Sequence, residues 1–505
     1  MGRPGAFVAA VAFSIVLLAG CVDNSPTDQR QSEQRNLQGR LAPAVEADVV
    51  GRLIGHNGAL QKLDPLSILP IPPSVDYVSV GTEGPEPSIG VTSNGMIFFQ
   101  AIQEIEGSGD AGPATLRSDD GGLTWQNVAM PPFTSPTTLD PYLFVDPTTD
   151  RVFVNHLYLA CSYLSFSDDY GATWVPNPIA CGVPVNDHQK LTTGPYRAPL
   201  SATPAYPNVV YYAYNGVAAG SRVSMSYDGG VTWPVNTQTV PSGQCSGGLH
   251  GNIHSSGDGY MYVPKRACNG TLVAVSADNG LTWQNFKVGQ DVGSPDFRKN
   301  SEIATDSENN VYVTWPGADN RLYLSVSRDH GRTWSPSSIL ASPPEVTTTT
   351  MPSIVAGSPG RIAFAYYGVY GGNGEHPECV GSDENWDVYV AWSINALEAN
   401  PSFVTTRANE LNDPVQVGGI STNSGTPDPE KGCQYRRNLL DFIDMAADHE
   451  GRVYVATADG CLECTNFNES VAAIGISSTQ ITGPSLFADK PDFLARPLGV
   501  GARAD

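Results

Sequence analysis

Residues 276–283 read Ser276-Ala-Asp-Asn-Gly-Leu-Thr-Trp283, and four further segments repeat this Ser-x-Asp-x-Gly-x-Thr-Trp pattern. Successive copies begin 49, 59, 50 and 51 residues apart. A regular period of this length predicts a chain built from repeated structural units. The other four copies are Ser118-Asp-Asp-Gly-Gly-Leu-Thr-Trp125, Ser167-Asp-Asp-Tyr-Gly-Ala-Thr-Trp174, Ser226-Tyr-Asp-Gly-Gly-Val-Thr-Trp233 and Ser327-Arg-Asp-His-Gly-Arg-Thr-Trp334.

Each octapeptide is expected to form a hairpin turn. It follows alternating apolar residues, as in Leu272-Val-Ala-Val-Ser276, and therefore begins where a strand ends. The Asp side chain can accept backbone N–H groups, and Gly permits a left-handed backbone. Five calcium-binding or catalytic aspartates are the alternative, but repetition in every unit indicates architecture. The predicted structural residues are Asp120, Asp169, Asp228, Asp278 and Asp329, with Trp125, Trp174, Trp233, Trp283 and Trp334.

These octapeptides resemble the Asp-box, or bacterial neuraminidase repeat, of sialidase-like β-propellers. The resemblance implies that each turn joins the third and fourth strands of a blade, with ligands bound at the opposite face. Alternating apolar residues reveal two further units without a complete octapeptide, at 352–393 and 442–477. We therefore predict an all-β fold, a single propeller of seven four-stranded antiparallel blades over residues 81–482. Six blades with an irregular end is the alternative.

The N-terminal region has the pattern of an export signal. Arg3 precedes an apolar run at 6–18, which is too short to span a bilayer, and Leu18-Ala-Gly-Cys21 follows. This ending resembles the lipobox of bacterial lipoproteins, which implies cleavage of residues 1–20 and lipidation of Cys21. An ordinary signal peptide is the alternative. We predict an exported, membrane-anchored protein.

The remaining segments complete the predicted domain organisation. Residues 21–48 are polar and fit a flexible tether, and 49–80 form an N-terminal segment. Within that segment, Tyr77-Val-Ser-Val80 can complete the last blade. Residues 483–505 are a C-terminal tail.

Eight cysteines remain after Cys21, an even number that favours disulfides in an exported chain. Sequence spacing suggests four local pairs, although eight cysteines allow 105 pairings and the connectivity stays open. Cys461 and Cys464 could instead form a redox or metal pair. The suggested pairs are Cys161–Cys181, Cys245–Cys268, Cys379–Cys433 and Cys461–Cys464.

Composition excludes several classes of protein. The chain has 505 residues and a formal net charge of −23, which is incompatible with a nucleic-acid partner. An apolar fraction of 40% argues against disorder, and 52 Gly with 40 Pro argue against a helical bundle. We expect a monomer that binds an extracellular glycan or protein.

Candidate site residues lie in the loops expected at the face opposite the octapeptides. Glu302, Asp441 and Asp444 are the candidate catalytic acids and bases. A solvated rim is the alternative interpretation of the basic residues at this face. The candidate anion or ligand binders are Lys265, Arg266, Arg298, Lys299, Arg436, Arg437 and His250.

Resemblance to sialidases implies three arginines on a substrate carboxylate, a Tyr nucleophile paired with Glu, and an Asp acid/base. The chain departs from that pattern, because Glu86-Pro-Ser-Ile-Gly90 stands where the family has Arg-Ile-Pro, and Arg-Ile-Pro occurs nowhere in it. Seven blades also differ from the six of sialidases. We therefore predict a sialidase-like binding scaffold at the cell surface that lacks sialidase catalysis. A glycoside hydrolase or lyase acting on extracellular glycans is the alternative.

Two short segments raise the question of metals. His250-Gly-Asn-Ile-His254 places two imidazoles on one strand face, but no third zinc ligand is identifiable, so histidines of the core or rim are favoured. Asp383-Glu-Asn-Trp-Asp387 has oxygen ligands for calcium without a regular spacing, so a solvated acidic turn is favoured. We predict no metal and no cofactor, with a structural calcium left open.

Overall fold

The computed structural model shows a β-propeller. It describes residues 71–105, 110–128, 139–158, 161–179, 186–201, 205–216, 220–240, 249–267, 270–288, 301–335, 339–410, 412–421, 433, 435–462, 464–470, 473–495 and 497. Arg298, Lys299, Cys21, Cys181, Cys245 and Cys268 lie outside these ranges. Within the described ranges, no helix has the length and apolar character needed to cross a bilayer.

Seven antiparallel sheets form the blades, which confirms the prediction of seven rather than six. In blades 1–6 the strands follow chain order from the innermost to the outermost. Blade 1 contains β3 (Ser88–Val91), β4 (Ile97–Ile105), β5 (Asp110–Ser118) and β6 (Gln126–Asn127). Blade 2 contains β7 (Leu139–Val145), β8 (Val152–Tyr158), β9 (Cys161–Ser167) and β10 (Val175–Ile179). Blade 3 contains β11 (Asn186–Pro195), β12 (Asn208–Gly216), β13 (Gly220–Ser226) and β14 (Val235–Gln238). Blade 4 contains β15 (His254–Ser255), β16 (Met261–Ala267), β17 (Gly270–Ser276) and β18 (Gln284–Lys287). Blade 5 contains β19 (Glu302–Thr305), β20 (Val311–Pro316), β21 (Leu322–Ser327) and β22 (Ile339–Leu340). Blade 6 contains β23 (Val346–Ala356), β24 (Ile362–Tyr370), β25 (Asn385–Ser393) and β26 (Val404–Arg407).

Blade 7 joins the two ends of the described chain. Its inner strands are β30 (Asp444–Ala447), β31 (Val453–Asp459) and β32 (Ile474–Thr482), and its outer edge is β1 (Ser74–Val75) with β2 (Val78–Glu83). Val78 pairs with Ser477, so Tyr77-Val-Ser-Val80 overlaps this outer strand. The Tyr77 hydroxyl also donates to Asp459 Oδ2 at 2.6 Å. Closing the ring in this way removes the free sheet edge that an open blade 7 would leave.

The hydrophobic core is divided among the seven spaces between neighbouring blades. Blades 1 and 2 share a cluster that contains Phe98 and Leu143, and blades 5 and 6 share one that contains Tyr312 and Phe364. The remaining clusters follow the same arrangement around the ring. Alternating apolar residues on the strands are buried on both faces because each sheet packs against two neighbours.

All five octapeptides fold into the same hydrogen-bonded turn. The Ser hydroxyl donates to Asp Oδ1 at 2.8 Å in every copy, and the Thr hydroxyl donates to Asp Oδ2 at 2.6–2.7 Å. The Gly two positions after Asp accepts a left-handed backbone, with φ from 79° to 94°. Bonds from Thr173 and Ser167 lower the pKa of Asp169. The aspartate is therefore the acceptor that organises each turn.

The octapeptide tryptophans lie in the clusters between blades. The indole N–H of Trp174 donates to the Val128 carbonyl of the preceding blade at 2.8 Å. The indole N–H of Trp283 likewise donates to Thr237 Oγ1 at 2.9 Å. Blade 6 keeps a reduced version of the turn, in which the Ser393 hydroxyl donates to Asn395 Oδ1 at 3.1 Å.

Within the described ranges there are two disulfides, Cys379–Cys433 and Cys461–Cys464. The first joins a 3₁₀ turn (Pro377–Cys379) in the blade 6 insertion to the segment that precedes blade 7. Nearby, β27 (Gln416–Val417) adds to β25, and β28 (Gly419–Ile420) pairs with β29 (Tyr435–Arg436). The suggested pairs Cys161–Cys181 and Cys245–Cys268 involve residues outside the described ranges.

Replacement of Ser276 by Ala tests the octapeptide turn. The buried Ser276 hydroxyl accepts the Gly280 N–H and donates to Asp278, each at 2.8 Å, so Ala leaves a buried N–H without its partner. We expect a loss of about 1–3 kcal/mol in the free energy of unfolding, measured by urea denaturation. Ser307→Ala, at an exposed turn, is the matched control and should change stability by less than about 0.5 kcal/mol. Equal midpoints for the two variants would contradict a structural role for the turn.

Candidate functional site

The innermost strands place equivalent residues at the end of the propeller opposite the octapeptide turns. In each of six blades, a backbone hydrogen bond closes the turn between the first and second strands. The equivalent residue lies four positions before the residue that donates this N–H. This rule places Glu302 before Asp306 and Asp444 before Asp448. The equivalent residues in blades 1, 2, 4 and 6 are Ser88, Tyr142, Asn252 and Ser353.

Five of the residues at strand starts form what we call the axial cluster: Tyr142, Lys190, Asn252, Glu302 and Asp444. They come from five different blades, and Asn252 reaches Asp444 although blades 4 and 7 are not neighbours. The contacts therefore cross the axis of the ring.

Asn252 holds both carboxyl groups of the axial cluster. Its backbone N–H donates to Glu302 Oε2 and its side-chain Nδ2 donates to Asp444 Oδ1, both at 2.8 Å. Asp444 Oδ2 also accepts the Ile89 backbone N–H at 3.3 Å. A shared asparagine keeps the two carboxyls within about 10 Å, the span that glycosidase carboxyl pairs occupy. Gly251 is required beside them, because a Cβ there would clash with the Ser301 carbonyl and Glu302.

Lys190 is a buried cation between aromatic rings. Its Nζ lies 3.2 Å from the centroid of the Phe442 ring and 4.3 Å from that of Tyr142. The ammonium has no hydrogen-bond acceptor among the described residues. Burial lowers the pKa of Lys190 to about 8, while Asp444 and Glu302 oppose that shift. Lys190 is thus the positive charge that the two axial carboxyls share.

Burial separates the protonation states of the two axial carboxyls. It raises the pKa of Glu302 to about 8, with Lys190 and the Asn252 N–H opposing. Burial also raises the pKa of Asp444, but only to about 6, because Lys190 and several hydrogen bonds oppose it. At neutral pH the pair therefore consists of one proton donor, Glu302, and one proton acceptor, Asp444.

A second group, the acid cluster, lies beside the axial cluster and consists of Glu86, Asp140, Asp187, Asp441 and Arg437. Arg437 binds Asp441 through two hydrogen bonds of 2.6 and 2.9 Å. Burial, followed by Asp140, raises the pKa of Asp187 to about 8 and the pKa of Glu86 above its ordinary value. Hydrogen bonds join Asp140 to both of these groups. Carboxyl groups this close retain protons, because they cannot all ionise together.

The backbone at these strand starts is in an unfavourable conformation. Glu86, Asp140, His188 and Met351 have φ of 53°, 46°, 55° and 48°. Residues with a side chain rarely adopt the left-handed region, at a cost of order 1–3 kcal/mol each. The Asp140 carboxylate compensates in part by accepting the His188 N–H at 2.9 Å. Such strain concentrates at functional sites.

The histidines near the axis are neutral at physiological pH. Burial lowers the pKa of His250 to about 3 and the pKa of His254 to about 4, and the pKa of His188 lies well below its ordinary value. His188 and His250 pack edge to face, with ring centroids 5.9 Å apart. Across the part of the chain that the structure describes, no group of three His, Cys, Asp or Glu could hold a metal ion.

Four of the six basic residues proposed as anion binders lie within the described ranges, and these four contact other protein groups. Lys265 Nζ donates to Asn215 Oδ1 at 3.5 Å, and Arg266 Nη1 donates to Thr271 Oγ1 at 2.8 Å; both side chains are buried. The Arg436 guanidinium lies 4.7 Å from the centroid of the Phe467 ring. Arg437 is paired with Asp441.

The structure thus brings Glu302 and Asp444 together and places Asp441 in the acid cluster. Sequence reasoning did not select Tyr142, Asn252, Asp140 or Asp187. A usable signal was present, because Tyr142 and Asn252 occupy the same position in their blades as Glu302 and Asp444. In the acidic segment 383–387, the Asp387 carboxylate accepts from Asn409 at 2.7 Å and lies 3.6 Å from Arg407.

No protein-family model matches the chain, and no curated protein is similar to it. Among solved structures, a protein of unknown function from Dyadobacter fermentans DSM 18053 is 14% identical over 80% of this chain and 98% of that one, with a TM-score of 0.42. The K499G mutant of NanB sialidase from Streptococcus pneumoniae is 11% identical, covering 78% and 67%, with a TM-score of 0.40. An α-L-arabinanase from Penicillium chrysogenum is 12% identical, covering 66% and 97%, with a TM-score of 0.38.

Replacement of Lys190 by Met tests the electrostatics of the axial cluster. Raised carboxyl pKa values stabilise the fold at low pH, and that stability is lost as pH rises through about 6 for Asp444 and 8 for Glu302. The lowered pKa of Lys190 has the opposite effect on stability. The folded state becomes more stable as pH rises from about 8 toward the pKa of a lysine in the unfolded chain. Removing the cation raises both carboxyl pKa values further and abolishes this compensation.

The Lys190→Met variant should therefore lose more Tm between pH 5 and pH 9 than the wild-type protein. The extra loss is about 1.4 kcal/mol for each carboxyl whose pKa rises by one. Lys490→Met, which removes the cation of a partly exposed pair with Glu450, is the control and should leave the slope unchanged. A wild-type slope in Lys190→Met would refute the coupling.

Proposed function

We propose that this protein is a glycoside hydrolase-like propeller that cleaves an extracellular glycan at the axial cluster. The supporting observation is the pair Glu302 and Asp444, which are bound through one asparagine and differ in pKa by about two. Glycosidases need one carboxylic acid and one carboxylate at this kind of separation. The octapeptide turns also support membership of the Asp-box propellers.

In this proposal Glu302 donates its proton to the leaving-group oxygen as the glycosidic C–O bond breaks. Asp444 accepts a proton from a water molecule whose oxygen forms the new bond to the anomeric carbon. Asp444 then releases the proton it accepted to solvent and Glu302 takes one up, so the cycle consumes one water molecule with no net change in protons. Asn252 is a positioning residue, because it fixes both carboxyls through hydrogen bonds of equal length.

Tyr142 is not suited to be the nucleophile that sialidase chemistry uses. Burial, followed by Asp444 and Glu302, raises the pKa of Tyr142 well above its ordinary value. A Glu with a pKa of about 8 is protonated at neutral pH and cannot take the phenol proton. The proposed chemistry therefore relies on the carboxyl pair.

Binding of a glycan or protein without turnover, the function predicted from sequence, is the second candidate. The observation that favours it is the burial of the pair, since Glu302 is 2% exposed and Asp444 is 3% exposed. In that case the axial contacts would hold the ring together and a ligand would bind above them. The two candidates differ in whether carboxyl substitution changes turnover.

Turnover by Glu302→Gln and Asp444→Asn distinguishes the candidates. We expect the wild-type protein to release reducing sugar from at least one member of a panel of polysaccharides and aryl glycosides. The assay is run at pH 7, between the pKa values of Asp444 and Glu302. Each variant should reduce kcat by about 10²–10⁴-fold, the usual contribution of an acid or base. Glu308→Gln and Asp119→Asn, at exposed positions, are the controls and should retain activity. Binding on a glycan array with no turnover by the wild-type protein would sink the hydrolase and leave the binding scaffold.

We also propose that the chain is exported and anchored through lipid on Cys21. Two disulfides within the described ranges support an oxidising compartment. Cys21, the one cysteine outside the four suggested pairs, lies at the lipobox-like segment. In a Gram-negative or Gram-positive host fed labelled palmitate, the wild-type protein should carry label in the membrane fraction. Cys21→Ser should carry none and leave that fraction. Equal labelling of both proteins would refute the anchor.

A further inference from the structure

We infer that the axial site accepts uncharged sugar residues and discriminates against sugars that carry a carboxylate, such as sialic and uronic acids. This inference rests on the proposed function and concerns the substrate class of the same site. It runs against what the Asp-box resemblance alone implies, because sialidases bind a carboxylate.

Carboxyl groups outnumber cations at this end of the propeller. Six of them lie in the axial and acid clusters: Glu86, Asp140, Asp187, Glu302, Asp441 and Asp444. The cations of these clusters are Lys190 and Arg437. The charges of Glu86 and Asp140 raise the pKa of Lys190, as those of Asp444 and Glu302 do. The two clusters therefore interact electrostatically.

The described arginines at this end already contact other protein groups. Both terminal nitrogens of Arg437 donate to the Asp441 carboxylate. This pair of N–H groups is therefore not available to hold a substrate carboxylate through two parallel hydrogen bonds. Arg266 binds Thr271, and Arg436 lies against the Phe467 ring. Lys190 has no hydrogen-bond acceptor within the described ranges, but it lies between two aromatic rings and its charge is offset by Glu302 and Asp444.

Uncharged hydrogen-bonding groups without a protein partner in the described ranges lie at the same end of the propeller. Ser353, the blade 6 equivalent of Glu302 and Asp444, has a buried hydroxyl with no partner among the described residues. The buried Nε2 of His250 is likewise unpartnered within those ranges, and this imidazole is neutral. Hydroxyl and neutral imidazole groups suit the hydroxyls of a sugar.

Charge explains how the discrimination should vary with pH. An incoming carboxylate adds a negative charge to a neighbourhood where carboxyls already suppress one another's ionisation. Asp187 and Glu302 ionise near pH 8, so repulsion of an anionic sugar grows above that pH. At pH 5.5 Asp187 and Glu302 are protonated, and the repulsion weakens.

The test uses matched oligosaccharides and the full-length chain purified in detergent. Lactose is compared with sialyllactose, and galacto-oligosaccharides are compared with oligogalacturonides, by calorimetric titration at pH 8.5 and 5.5. We expect the neutral member of at least one pair to bind about tenfold tighter or more at pH 8.5, with a smaller ratio at pH 5.5. An acidic member that binds as tightly or tighter at pH 8.5 overturns the inference and leaves the proposed function intact. If neither member of any pair binds or is cleaved, the proposed function fails and the inference fails with it.

Asp187→Asn and Glu86→Gln provide an independent arm. Asp187→Asn removes a negative charge that forms near pH 8, so binding of the acidic member at pH 8.5 should tighten several-fold relative to the neutral one. Glu86→Gln removes a second carboxyl of the acid cluster and should act in the same direction. Asp119→Asn removes an exposed carboxylate at an octapeptide turn and should leave the ratio unchanged. An unchanged ratio in folded Asp187→Asn and Glu86→Gln contradicts the electrostatic origin. If those variants do not fold, the wild-type pH comparison decides the question alone.

Discussion

The pairing of β2 with β32 is the constraint on which the rest of the structure depends. It places residues near 80 and near 476 in one blade, so seven sheets close into a ring. Closure in turn brings Asn252 within 2.8 Å of Asp444, although 192 residues separate them in sequence. An open chain of blades would bury the same side chains between neighbours but would not assemble the axial cluster.

The two ends of the blades serve different purposes. At one end, repeated octapeptide turns satisfy their own polar groups, with each Asp accepting from Ser and Thr of the same turn. At the other end, hydrogen bonds join polar groups of different blades, and several of these groups carry charge into a buried environment. Buried charge is costly unless paired, and here it is tolerated at the price of shifted pKa values and left-handed backbone at four strand starts. That contrast is why the axial end, rather than the repeated turns, is the candidate site.

Much of the fold followed from local pattern. The octapeptides identified five blades, and alternation of apolar residues identified the two that lack a complete copy, because both signals act within about fifty residues. The axial cluster was only partly predictable. Glu302, Asp444 and Asp441 could be selected from their positions before strands, whereas Asn252, Tyr142, Asp140 and Asp187 acquire their roles from contacts between blades. The contacts of the candidate basic residues were not predictable for a related reason, since composition does not reveal that Lys265 is bound by Asn215 or Arg437 by Asp441.

The central claim is that two buried axial carboxyls differ in protonation at neutral pH. Carbon-13 NMR of protein labelled at the Asp and Glu carboxyls measures this directly, with Asp444→Asn and Glu302→Gln used to assign the two resonances. The account predicts that Asp444 titrates near pH 6 and Glu302 near pH 8. Titration of both groups below pH 5 would contradict it, because neither carboxyl could then serve as the acid of the pair at neutral pH.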